Sequence, residues 1–90
     1  MRRVRVVVRG DVQNVGFRSW TKHKADHFGA KGWVKNNVDG SVEAVFEGMD
    51  SVIEEVLESC RRGPPGSYVR DVEVKDEAVT DKFLDFRIVG

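Results

Sequence analysis

Nine residues near the N-terminus, Gly10-Asp11-Val12-Gln13-Asn14-Val15-Gly16-Phe17-Arg18, have the types and spacing best suited to chemistry in this 90-residue sequence. A loop of small and turn-forming residues that runs into a helix presents backbone N–H groups that no helix carbonyl claims. They lie close to the positive end of the helix dipole, so the loop is a natural anion cradle. Arg18 falls in the first turn of that helix, where a cation opposes the dipole. Its planar guanidinium can give two parallel bonds to an anion, which makes ligand binding the more economical reason for its presence. The plainer alternative is that Gly16 permits the turn and Arg18 is a solvated surface residue. Other reactive types offer less. His23 and His27 have the i, i+4 spacing of a metal pair, but no Asp, Glu or Cys is placed to complete a site, and no metal is expected. Cys60 lies in an apolar helical stripe, where a thiol behaves as a small buried hydrophobe.

The elements that must position these residues follow from periodicity. From Arg3 to Arg9, Val4, Val6 and Val8 alternate with Arg3, Arg5, Val7 and Arg9, the period of a half-buried strand. Phe17, Trp20, Thr21, Ala25 and Phe28 then recur at helical spacing until Gly29, which predicts a helix over about residues 17–28. Its other face, with Lys22, His23 and Asp26, is expected in water. Lys31 to Asn37 alternates as a second strand, with Val34 and Asn36 of one parity and Trp33 and Lys35 of the other. Asp39-Gly40 signals a tight hairpin into a third strand carrying Val42, Ala44 and Phe46. Asp50 or Ser51 is expected to cap a second helix over about 51–62, bearing Val52, Ile53, Val56, Leu57 and Cys60, and Gly63-Pro64-Pro65-Gly66 ends it. Two weaker strands follow, Ser67 to Lys75 and Phe83 to Val89, the second with Leu84, Phe86 and Ile88 in phase. In the first, Val69 and Val72 differ in parity, which predicts a bulge between them.

The order β-α-β-β-α-β predicts an α+β, ferredoxin-like split β-α-β sandwich: an antiparallel sheet with two helices on one face. Ninety residues make one domain, 1–90, with no linker or repeat and no room for a large substrate cavity. Fifteen Lys and Arg balance fifteen Asp and Glu, so a strongly basic nucleic-acid binder is excluded on overall charge and a charged ligand must be held locally. A single cysteine closes no disulfide within the chain and fits a reducing cytoplasm. No stretch approaches the roughly 20 apolar residues of a membrane span. The topology hosts many functions, so the function has to come from the site.

With these elements in place, three ordered motifs resemble the acylphosphatase family. Gly10-x-Val12-Gln13-x-Val15-Gly16-Phe17-Arg18 resembles its phosphate-binding signature. Gly32-Trp33-Val34-Lys35-Asn36 with Asp39-Gly40-Ser41-Val42 resembles its second motif, and Gly63-Pro64-Pro65-Gly66-Ser67 with Val69 and Val72 a third stretch. The resemblance covers nearly the whole chain. It departs at Asn14, where the family pattern has glycine.

The resemblance implies hydrolysis of a carboxyl-phosphate anhydride to a carboxylate and inorganic phosphate, with no cofactor and no metal. Arg18 and the backbone amides of Gln13, Asn14, Val15, Gly16 and Phe17 would bind the phosphoryl oxygens, and Asn36 would orient the attacking water. Such a reaction is mostly positioning and preorganised donors, because charge in the transition state is spread over equatorial oxygens. Asn36 offers a donor and an acceptor and can hold a water without being a base. On its own, the same asparagine reads as a polar residue at a strand end. The expected partners are a small acyl phosphate as substrate and inorganic phosphate as product and competitive inhibitor, for a cytoplasmic monomer that binds neither nucleic acid nor membrane. Two rivals stand beside this reading. One is a non-catalytic or regulatory anion-binding module that keeps the cradle, since acylphosphatase-like domains can occur inside larger proteins. The other is an RNA-binding domain of the same topology, disfavoured because the sheet surface opposite the helices lacks clustered aromatics and carries Glu43 and Glu47.

Overall fold

The computed structural model describes residues 1–90. Its elements are β1 (Arg2–Asp11), α1 (Phe17–Phe28), β2 (Lys31–Asn36), β3 (Val42–Gly48), α2 (Asp50–Arg62), β4 (Tyr68–Glu77) and β5 (Phe86–Ile88). The alternation in β1 places Val4, Val6 and Val8 in the core, where they meet Phe17 and Ala25 of α1 and Ile53, Val56 and Leu57 of α2. Cys60 is buried in the same cluster, as its place in the α2 stripe predicts. The second helix begins one residue earlier than expected and is not capped by a side chain. Met49 occupies the cap position, and Asp50 instead sits in the first turn, where its charge complements the dipole.

The sheet order is β4-β1-β3-β2-β5. β1 runs antiparallel to β3 and β4, and β2 antiparallel to β3, but β5 lies parallel to β2, pairing Gly32 with Phe86 and Val34 with Ile88. The sheet is therefore mixed rather than purely antiparallel, for a simple reason of path. The chain leaves β4 opposite Arg3, crosses the open face at that end of the sheet and enters β5 from there. It must then run opposite to β4 and along β2. The strand expected over 83–89 shrinks accordingly to three residues. Phe86 is 2 % exposed and stacks on Phe46 at 5.5 Å between ring centroids, whereas Leu84, still in the crossing segment, is 87 % exposed and Ile88 is 42 % exposed at the sheet edge. The bulge expected near Val69 and Val72 is present: Arg9 pairs with Asp71 but Gly10 with Val69, leaving Arg70 as the extra residue. At Gly10 (φ +134°) a Cβ would lie 2.1 Å from the Tyr68 carbonyl oxygen, so only glycine fits there.

The face of the sheet away from the helices is charged but neutralised. Arg5 bonds Glu43 and Glu77, and Arg9 bonds Glu73 at 3.0 Å. Arg3 and Glu47, 8 % and 2 % exposed, form a buried pair with Nε to Oε1 at 2.9 Å. The crossing segment covers them: Arg3 also donates to the Asp81 carbonyl and lies 4.4 Å over the Phe83 ring. Trp33 shares this face, 5.5 Å beneath the Arg5 guanidinium.

Candidate active site

Strand directions bring four segments to one end of the molecule: the loop after β1, the end of β2, the start of β4 and the end of β5. In the loop after β1 the backbone turns twice through the left-handed region, at Asn14 (φ 63°) and at Gly16 (φ 77°, ψ 21°), the N-cap of α1. Asn14 is the one residue other than glycine with positive φ, so the position where this chain lacks the resembled glycine does carry a glycine-like conformation. The backbone amides from Gln13 to Ser19 donate to no acceptor within the protein. The first bond of the helix is from Trp20 N to Gly16 O at 3.0 Å, and no side chain caps the N-terminus. A succession of free N–H groups around left-handed residues at a helix start forms a concave nest for an anion.

Two hydrogen-bonded ties hold this loop to the other expected site residues. Gln13 donates from Nε2 to the carbonyl oxygens of Asn37 (2.8 Å) and Ser41 (2.9 Å), on either side of the β2–β3 turn. Arg18, half-buried, donates from Nη1 to the Gly90 oxygen at 2.7 Å, and the same oxygen accepts from the backbone N of Asn36 at 2.9 Å. The Asn36 side-chain amide has no partner in the protein, although Asn36 itself is half-buried and paired in register with Val42. Arg18 and Asn36, 18 residues apart in sequence, thus share a neighbour. The parity of β2 puts Asn36 on the face shared with Val34, the face that α1 covers.

The turn beyond Asn36 is itself bonded internally. Asp39 Oδ1 accepts from the Ser41 hydroxyl (2.6 Å) and backbone N (2.9 Å), and Ser41 Oγ accepts from Asn37 Nδ2 (3.0 Å). The Ser41 hydroxyl and N–H, with Arg9 nearby, hold the Asp39 carboxyl below its usual range. His23 and His27 stand exposed on α1, and no cluster of three metal-ligating side chains is present. Neither Arg18 nor Asn36 lines an enclosed cavity. A cleft of about 270 Å³ lined by no hydrophobic residue lies beside the hairpin between Arg9, Asp39 and Arg70.

Sequence reasoning missed two participants. Gly90 carries no signal of its own, because its role comes from where β5 delivers its backbone. The Gln13 side chain carries a weak one, because an amide side chain in a glycine-bounded loop is itself a candidate for tying backbone segments together.

Fold and site together define an α+β domain with an anion cradle at one end. The acylphosphatase family model matches residues 4–88. An acylphosphatase of Rhizobium etli is 47 % identical over 87 residues, covering 97 % of this chain and 93 % of its own. The crystal structure of acylphosphatase from Bacillus subtilis superposes with a TM-score of 0.96 at 37 % identity over 100 % of both chains. Full-length HypF in its phosphate- and nucleotide-bound form matches with a TM-score of 0.91 at 30 % identity, over 99 % of this chain but 12 % of that one. The chain belongs to the acylphosphatase family and is an acylphosphatase enzyme.

Proposed function

We propose that the chain hydrolyses an acyl phosphate in the cradle between β1 and α1, with Arg18 and the amides of Gln13 to Phe17 on the phosphoryl oxygens and Asn36 on the attacking water. The observation that carries this reading is the unbroken run of unclaimed amides from Gln13 to Ser19, which includes an arginine, Arg18, whose Nη1 alone is engaged. Nε and Nη2 of Arg18 are left for an anion. In the step itself, the water oxygen bonds to phosphorus as the bond from phosphorus to the carboxyl oxygen breaks. The electron pair leaves with the carboxylate, and a water proton passes to a phosphoryl oxygen of the substrate. The leaving group is good and the developing charge is spread, so fixed donors supply the catalysis and no protein nucleophile is required. The unpartnered Asn36 amide can accept from and donate to that water.

On this reading the enzyme works as a single domain over residues 1–90, as a cytoplasmic monomer, with inorganic phosphate as product and competitive inhibitor. The face opposite the helices, where Arg5 and Arg9 are already paired to glutamates, favours no nucleic-acid backbone. No helix is long and apolar enough to cross a membrane. A titration with inorganic phosphate followed by backbone amide NMR tests the cradle: the largest shifts are expected from Gln13 to Arg18 and at Asn36. Shifts confined to other segments would refute the assignment. A binding module without catalysis would show the same shifts but release no phosphate from benzoyl phosphate.

A further inference from the structure

We infer that the side chain of Gln13 is a positioning residue that holds the turn following Asn36, and with it Asn36, at a fixed distance from the phosphate cradle. This inference rests on the reading of Arg18 and Asn36 just given and concerns the Gln13 carboxamide, not its backbone N–H. The cradle follows β1 and Asn36 ends β2, and β3 lies between those strands. The β1–β3 ladder stops at the pair Val8 and Val42, and the β2–β3 ladder at Asn36 and Val42. Beyond Val42 no strand pairing connects the cradle to the turn. Gln13 spans that gap, spending both Nε2 protons on the carbonyl oxygens of Asn37 and Ser41, 24 and 28 residues away in sequence. These carbonyls form the neck of the turn: Ser41 O also accepts from Asn37 N at 2.8 Å, and Asn37 O from Gly40 N at 3.2 Å. Asn37 follows Asn36 directly, so the bonded carbonyl belongs to the residue next to the water-orienting amide. A glutamate here would offer only acceptors to two carbonyls, and an aliphatic side chain nothing.

A tie that only stabilises the fold would lower the melting temperature and leave the kinetics alone. A tie that sets the separation of water and phosphorus acts on kcat, because misplacement of about 1 Å costs roughly 100-fold in rate while the cradle still binds. The test is a cycle of Gln13→Met and Asn36→Ala assayed with benzoyl phosphate, with inorganic phosphate as inhibitor and calorimetry to verify folding. Gln13→Met is expected to lower kcat about 10- to 100-fold, with KM and the phosphate inhibition constant within about threefold of wild type. In the Asn36→Ala background it is expected to cost no further kcat, since residues acting through one another are not additive. An unchanged kcat, a rise in KM alone, or a full additional loss in that background overturns the inference. If Gln13→Met does not fold, Gln13→Leu is read in the same way, and failure of both to fold assigns the tie to stability and also overturns it. A wild-type protein that releases no phosphate would instead bring down the underlying reading, which separates the two failures.

Discussion

Arg18 and Asn36 meet at one atom: the Gly90 oxygen accepts from Arg18 Nη1 at 2.7 Å and from Asn36 N at 2.9 Å. β5 carries no side chain to the site, yet the backbone just beyond it joins the cation of α1 to the polar end of β2. Lys22, one turn along α1 from Arg18, reinforces the arrangement by donating to the Phe86 oxygen at 2.9 Å. Arg18 is thus oriented by the protein itself, and on the proposed reading this preorganisation lowers the ordering cost of binding.

On the proposed reading Asn36 holds water and not phosphate, so its effect is expected only once substrate is bound. Asn36→Ala is expected to lower kcat about 100-fold with KM changed little, as steady-state kinetics on benzoyl phosphate will show. Normal turnover in the variant would make Asn36 an ordinary strand-end residue.

Asn14 adopts φ 63° where glycine is the resembled residue. Asparagine tolerates this region better than most side chains, at a cost of roughly 1 kcal/mol. Asn14→Gly is expected to raise phosphate affinity or kcat/KM by relieving that strain and clearing the cradle, while the freer unfolded chain offsets any gain in stability. If both quantities fall, the asparagine contributes to the loop.

The Thr21 hydroxyl is buried in α1 without a hydrogen-bond partner. Thr21→Val keeps the shape and removes the unsatisfied group, so the melting temperature is expected to rise by several degrees, equivalent to about 1 kcal/mol. A fall on calorimetry would mean that the hydroxyl has a partner in solution.

Burial pushes the Cys60 thiol up to about 12. Above the ordinary thiol range of roughly 8.5 the unfolded chain loses this proton and the folded chain keeps it, so Cys60 destabilises the fold progressively as pH rises from about 9 towards 12. Denaturant titrations are expected to lose stability more steeply over that interval in wild type than in Cys60→Ala, and native Cys60 to react with thiol reagents only on unfolding. Equal slopes or rapid labelling of the native protein would contradict this.

Most of the fold was legible because local patterns agreed with one another. Val4, Val6 and Val8 announce a strand by their period, Phe17 to Gly29 a helix, and the parity break between Val69 and Val72 a bulge that the backbone indeed makes. What was not legible depends on path. β5 is parallel to β2 because the chain crosses the sheet near Arg3 and Glu47, and no local pattern in residues 78–85 encodes that crossing. The same holds for the site. The cradle follows from residue types in one loop, and Asn14 stands out there only against the glycine of the resembled pattern, whereas the convergence of Arg18, Asn36 and Gly90 and the bridge made by Gln13 exist only after β1, β2, β3 and β5 are registered.

The central claim is that Arg18 and the loop amides bind the phosphoryl group that is transferred, and release of phosphate from benzoyl phosphate by wild type and Arg18→Ala, with and without EDTA, tests it most directly. Wild type is expected to turn over at a rate that EDTA leaves unchanged and to be inhibited competitively by phosphate. Arg18→Ala is expected to show a fall of about 100-fold or more in kcat/KM, with kcat, KM and phosphate inhibition all impaired. An Arg18→Ala protein that hydrolyses benzoyl phosphate and is inhibited by phosphate as wild type is would contradict this role for Arg18.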